Sequence, residues 1–100
     1  MPKITIEKQT SLSAADAYQK IKTMLADARD LRKLDSGYQC QFDDVAKTGS
    51  EKGKQFKADM KIFDQSPTKV ELVIYLPIML TPFKGMVENT LKAKLEKILA

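Results

Sequence analysis

The fold turns on Lys54–Leu76, KQFKADMKIFDQSPTKVELVIYL. Its first part alternates, with Phe56, Ala58, Met60 and Ile62 on one side and Lys57, Asp59 and Lys61 on the other. Its last part repeats the pattern with Val70, Leu72, Ile74 and Leu76. A period of two marks half-buried strands. The intervening DQSPT carries turn residues. Successive strand side chains point to opposite faces, so the two apolar rows share a face only if even-numbered residues pair with even-numbered ones. The predicted register therefore places Ile62 opposite Val70 and Met60 opposite Leu72. It also sets Lys61 against Glu71, a favourable pair on the wet side.

Working outward, Lys3–Lys8 (KITIEK) alternates Ile4 and Ile6 with polar neighbours, a first strand. Ser13 is placed to cap a helix, with Asp16 near its positive end. Ala17, Ile21, Met24, Leu25, Ala28 and Leu31 form its apolar stripe, and Asp35–Gly37 is expected to end it, with Gly37 left-handed. YQCQF then sets Tyr38, Cys40 and Phe42 on one side. AKTGSEKG, residues 46–53, reads as a polar connection between strands. After Leu76, the corner PIML leads to Thr81-Pro82, where Thr suits an N-cap and Pro the first helical position. Phe83, Val87, Leu91, Leu95 and Ile98 then recur at helical spacing, with Glu88 and Lys92 as an i,i+4 pair on the solvated side. The expected fold class is α+β: a two-layer sandwich, β-α-β-β-β-α, with an antiparallel sheet of about four strands covered by two helices. One hundred residues make a single domain, 1–100.

Composition narrows the function. With 43% hydrophobic and 30% charged residues, the chain is an ordinary globular one. The one cysteine excludes an internal disulfide, and the lack of histidine argues against a conventional zinc site. No secretory signal or transmembrane run is visible, so a cytoplasmic protein is expected. The net charge of +4 is spread through interleaved Lys, Asp and Glu rather than clustered with aromatics, which disfavours nucleic acid as a partner.

Catalytic signatures are missing. Without histidine the commonest general base is absent, and Cys40 sits on an apolar strand row as a core thiol. Asp43 and Asp44 are strand neighbours that point to opposite faces, so they do not make an acid–base pair. GSEKGK lacks P-loop spacing. No cofactor, metal or catalytic residue is assigned, no polar cleft with a carboxyl of strongly perturbed pKa is expected, and the expectation is a non-enzyme.

The closing segment Val70–Leu99, VELVIYLPIMLTPFKGMVENTLKAKLEKIL, resembles the end of the bacterial polyhydroxyalkanoic acid system family. ITIEKQTSLSAADAYQKI is similar to that family's first strand and long helix. The resemblance implies a shortened helix-grip (START-like) layout and a link to polyhydroxyalkanoate granules, without a transferable activity. Two functions follow as expectations. One is an accessory protein docking on a granule surface or granule protein; the other is a carrier of a small apolar ligand between the sheet and the C-terminal helix. The residues expected to contact a hydrophobic surface or ligand are Ile78, Met79, Leu80, Phe83 and Val87, with Pro77–Leu80 either plugging the open end of the sandwich or facing a partner. On the outer sheet face Phe63, Val73 and Tyr75 are candidates for homodimer contact.

Overall fold

The predicted hairpin forms the centre of the sheet. The computed structural model describes residues 3–27, 33, 37–54 and 57–99. Its elements are β1 (Lys3–Thr10), α1 (Ala14–Ala26), β2 (Gln39–Asp43), β3 (Thr48–Lys52), β4 (Lys57–Phe63), β5 (Thr68–Tyr75), a 3-10 turn (Ile78–Phe83) and α2 (Lys84–Ile98). All strands are antiparallel, in the order β1-β5-β4-β3-β2. Ile62 pairs with Val70, Met60 with Leu72 and Lys61 with Glu71, the register the alternation requires. Ile4 and Ile6 extend the same apolar face through Ile74 and Leu72. Both helices cover that face, α1 lying across β2 to β5 and α2 against β1 and α1.

Local chemistry holds the helices in place. The Asp16 amide donates to Ser13 Oγ at 3.1 Å, the expected N-cap. Tyr18, fully buried from α1, donates its hydroxyl to Asp44 Oδ1 at 2.6 Å, and Lys22 meets the same oxygen at 3.0 Å. The Tyr18 hydrogen bond, reinforced by Lys22, lowers the Asp44 pKa, while burial and that same carboxylate raise that of Tyr18. Asp43 instead accepts the amides of Val45 and Ala46, fixing the β2–β3 turn. The adjacent carboxylates thus have separate structural roles. At the other end of α1, Tyr38 donates to the Leu25 carbonyl at 2.7 Å, and half-buried Cys40 Sγ lies 3.6 Å from that oxygen.

The structure corrects two expectations here. Residues 48–52 are a fifth strand rather than part of a connection. In the β2–β3 turn the left-handed residue is Lys47, with φ 55; the expected left-handed turn at Gly37 depends on residue 36 and lies outside the described residues. Thr81 and Pro82 lie inside the 3-10 turn, and α2 begins at Lys84 with Phe83 at its N-cap position. Ala28, Leu31, Asp35 and Phe56 lie outside the described residues.

Strand β3 escapes the sequence pattern because its two inward residues are Gly49 and Glu51. Gly49 makes room for its neighbours. A Cβ there would come within 2.9 Å of the Phe42 ring and 3.1 Å of Glu51 Oε1. Glu51 pairs with Cys40 and Ala58 on the core side, is 0% exposed, and among the described residues has no hydrogen-bond partner for either carboxylate oxygen. Burial, then repulsion from Asp59, pushes its pKa up to about 8.

Three outcomes follow. Gly49→Ala is expected to destabilise by about 1–3 kcal/mol in urea unfolding because the Phe42 ring must move. Gly85→Ala, with open space around it in α2, should be neutral or stabilise by up to about 1 kcal/mol. For Glu51, an acid with a folded-state pKa above its ordinary 4.5 binds its proton more tightly when folded. Its contribution to stability is full below pH 4.5 and is lost as pH rises through about 8. Thermal melts between those limits should show Glu51→Gln gaining on the wild type as pH rises; parallel curves would contradict this account.

Candidate functional site

The corner after β5 carries two sets of apolar residues, one buried and one exposed. Val87, Leu91 and Leu95 face inward from α2, and Leu99 continues the stripe beyond it. The far end of the helix is clamped: Thr10 Oγ1 donates to the Leu99 carbonyl at 2.9 Å, a buried bond, and Lys8 meets Glu96 at 3.5 Å. At the near end, the Leu80 amide donates to the Pro77 carbonyl at 2.9 Å, and the Leu80 side chain packs against the core. These contacts anchor the corner from both sides.

Other large residues of the corner remain outside. Ile78 is 78% exposed, Met79 70%, Phe83 46% and Met86 56%. Met79 and Phe83 belong to the 3-10 turn and Met86 to the first turn of α2, so these exposed residues sit on two consecutive elements. Phe83 was expected to point inward because it lies four residues before Val87. It belongs instead to the 3-10 turn, where three residues rather than 3.6 complete each turn, so the side chain rotates off the buried row. The expected plug is thereby divided: Leu80 is inside, and Ile78 and Met79 are outside. Val87, at 7% exposure, belongs to the core side of the helix and would meet only a ligand lying between helix and sheet. Met86, in the first turn of α2, is exposed as well and was not singled out from the sequence.

The second set of candidates is not gathered into one patch. Phe63 is paired with Lys69, and the ammonium groups of Lys61 and Lys69 lie 5.0 and 5.1 Å from its ring centroid. Val73 is four residues farther along β5 than Lys69, about 13 Å at strand rise. Val73 lies beside a polar groove of about 510 Å³ on the outer sheet face, which also includes Asp43, Asp59, Lys61 and Glu71. Tyr75 is half-buried between Lys3 and Lys57.

A second groove, of about 730 Å³, runs between the helices, with Met24 and Ile98 among Lys20, Lys94 and Lys97. Glu51 is the carboxyl of raised pKa that the sequence did not foretell, yet it is enclosed and lines neither groove. Among the described residues no group of three His, Cys, Asp or Glu is placed to hold a metal ion. No helix among them is long and apolar enough to cross a membrane.

Comparison with solved structures returns the same sheet-and-helix layout. The protein TTHA0849 from Thermus thermophilus matches with TM-score 0.63 at 13% identity, over 98% of this chain and 97% of the other. The Zhui aromatase/cyclase from Streptomyces sp. R1128 matches with TM-score 0.66 at 11% identity, over 98% and 91%. Ara h 8.0201 matches with TM-score 0.56 at 10% identity, over 97% and 94%. At such identities the likeness establishes the helix-grip fold alone. No curated protein matches the sequence. The family resemblance drawn from the closing segment is met by a match over residues 4–99, so the chain belongs to the family of polyhydroxyalkanoic acid system proteins.

Proposed function

We propose that this protein is a non-enzymatic accessory factor of polyhydroxyalkanoate storage, docking through its Ile78–Met86 corner onto the hydrophobic surface of the granule. The observation that carries the reading is the exposure of Ile78, Met79 and Phe83 in the 3-10 turn and of Met86 in the first turn of α2, a helix whose apolar stripe is already buried. Core packing accounts for Leu80, Val87, Leu91 and Leu95, and it leaves these four side chains in water. Burying a large apolar side chain contributes about 1.5–3 kcal/mol. Four of them can offset the cost of immobilising a small protein on a surface. Membership of the polyhydroxyalkanoic acid system family names the hydrophobic phase such a corner would meet. The protein would then divide between the cytoplasm and the granule.

The helix-grip layout also supports a carrier reading, with a small apolar ligand between sheet and C-terminal helix. In this structure Ile4, Ile6, Ile21, Val70, Leu72 and Leu95 occupy that layer, each at most 2% exposed. Such a ligand would have to displace them, so the surface reading is preferred.

The test is co-sedimentation of the purified protein with amorphous poly(3-hydroxybutyrate) particles. The wild type should pellet with them. Met79→Asp combined with Phe83→Asp should lower the bound fraction at least about tenfold, as expected when two buried apolar contacts are lost. Its melting temperature should fall only modestly, because Met79 is mostly exposed and Phe83 about half so. A wild type that remains in the supernatant, or a double variant that pellets equally well, refutes the proposal.

A further inference from the structure

The strand register brings lysines together that are far apart in sequence, at the end of the sheet from which the apolar corner leaves. Tyr75 is the last residue of β5 and lies between Lys3 of β1 and Lys57 of β4; Lys57 in turn faces Lys52 of β3. All three lysines are exposed on the outer face and none is in an ion pair among the described residues. Four lysines elsewhere do have acidic partners. Lys8, Lys22, Lys69 and Lys92 each have a carboxylate within 3.5 Å. Two rows farther along the sheet, Lys61 faces Glu71, which also neighbours Glu7. Charge is therefore segregated along the strands, acidic toward the middle and basic at the corner.

Two of these placements oppose local stability. Like charges directly opposite each other in a sheet repel, as Lys52 and Lys57 do. Lys84 opens α2 at the positive end of its dipole, with no acid in the first turn to offset it. Both would be relieved by an anionic layer lying against this end of the molecule. Strands are about 4.8 Å apart, so the lysine row spans about 14 Å. Ile78 follows Tyr75 by three residues, at most about 10 Å of chain. Tyr75, flanked by Lys3 and Lys57, thus lies within about a Debye length of Ile78.

We infer that this end of the protein is an interfacial docking surface for an anionic phospholipid layer, the lysine row meeting the headgroups while Ile78, Met79, Phe83 and Met86 enter the acyl region. This rests on the reading above that the corner enters a hydrophobic phase, and names the layer through which it does so. Aliphatic side chains flanked by lysines suit such a boundary, and a tyrosine between lysines sits well at headgroup depth. Duplex DNA would satisfy the lysines and leave the aliphatic residues in water.

The test is flotation of the full chain with vesicles of phosphatidylcholine alone and with vesicles containing phosphatidylglycerol, alongside the polymer-particle assay. A lysine near an anionic leaflet contributes about fivefold in partitioning. The wild type should prefer the anionic vesicles at least about tenfold at low ionic strength, and the preference should shrink as salt is added. Lys3→Gln, Lys52→Gln and Lys57→Gln together should abolish that preference and leave polymer-particle binding in place. Met79→Asp with Phe83→Asp should remove both. Equal binding to neutral and anionic vesicles, an undiminished preference in the lysine variant, or tighter binding to duplex DNA would overturn the inference. A wild type that binds polymer particles but no vesicles overturns the inference and spares the corner; one that binds neither overturns both.

Discussion

The pairing of β4 with β5 is the constraint on which the rest of the structure depends. Ile62 with Val70, Met60 with Leu72 and Ala58 with Ile74 form one continuous buried surface at the centre of the sheet. A slip of one residue would turn every one of these side chains to water and bring Lys61 and Glu71 inside. With the register set, β1 extends the apolar face on one side through Ile4 and Ile6, and both helices have a surface on which to bury their own stripes. The outer face is then obliged to be polar, and the charge rows that divide it follow from the same pairing.

The two helices are fastened unequally, which gives the molecule its polarity. Thr10 and Lys8 hold the C-terminal end of α2, and Asp44 holds the middle of α1 through Tyr18 and Lys22. The N-terminal end of α2 depends on Leu80 and Val87 for its grip, and exposes apolar residues around them. The proposed docking role would use that asymmetry: one end is secured to the core, and the other presents apolar side chains to its surroundings. Glu51 runs against the general rule that buried charges are paired. Its raised pKa means that the enclosed group sits neutral at and below neutral pH, which is how a carboxyl without partners is tolerated beside Gly49 and Phe42.

Much of the fold was legible because its signals are local and periodic. The alternation in β1, β4 and β5, the Ser13 cap and the stripe Val87, Leu91, Leu95 each depend on residues close in sequence. Strand β3 was not legible, since TGSEK carries glycine and glutamate where an apolar row is normally seen. It is a strand because Phe42 and Met60 flank it and its backbone completes two ladders. The candidate site was half legible. That the corner is apolar is plain from its composition, but Phe83 was assigned to the inward row, because a shift from 3.6 to 3 residues per turn leaves no mark in the spacing; Met86, off the buried row of α2, was passed over.

By itself the sequence determined the α+β class, the hairpin register, the cap of α1 and the absence of histidine chemistry, all of which depend on residue type and short-range order. The tertiary structure alone decided which corner residues face water, which carboxyl is enclosed and which lysines stand side by side. Those are properties of packing and strand order, and they bring together positions as distant as Lys3, Lys52, Lys57 and Tyr75 that no local pattern relates.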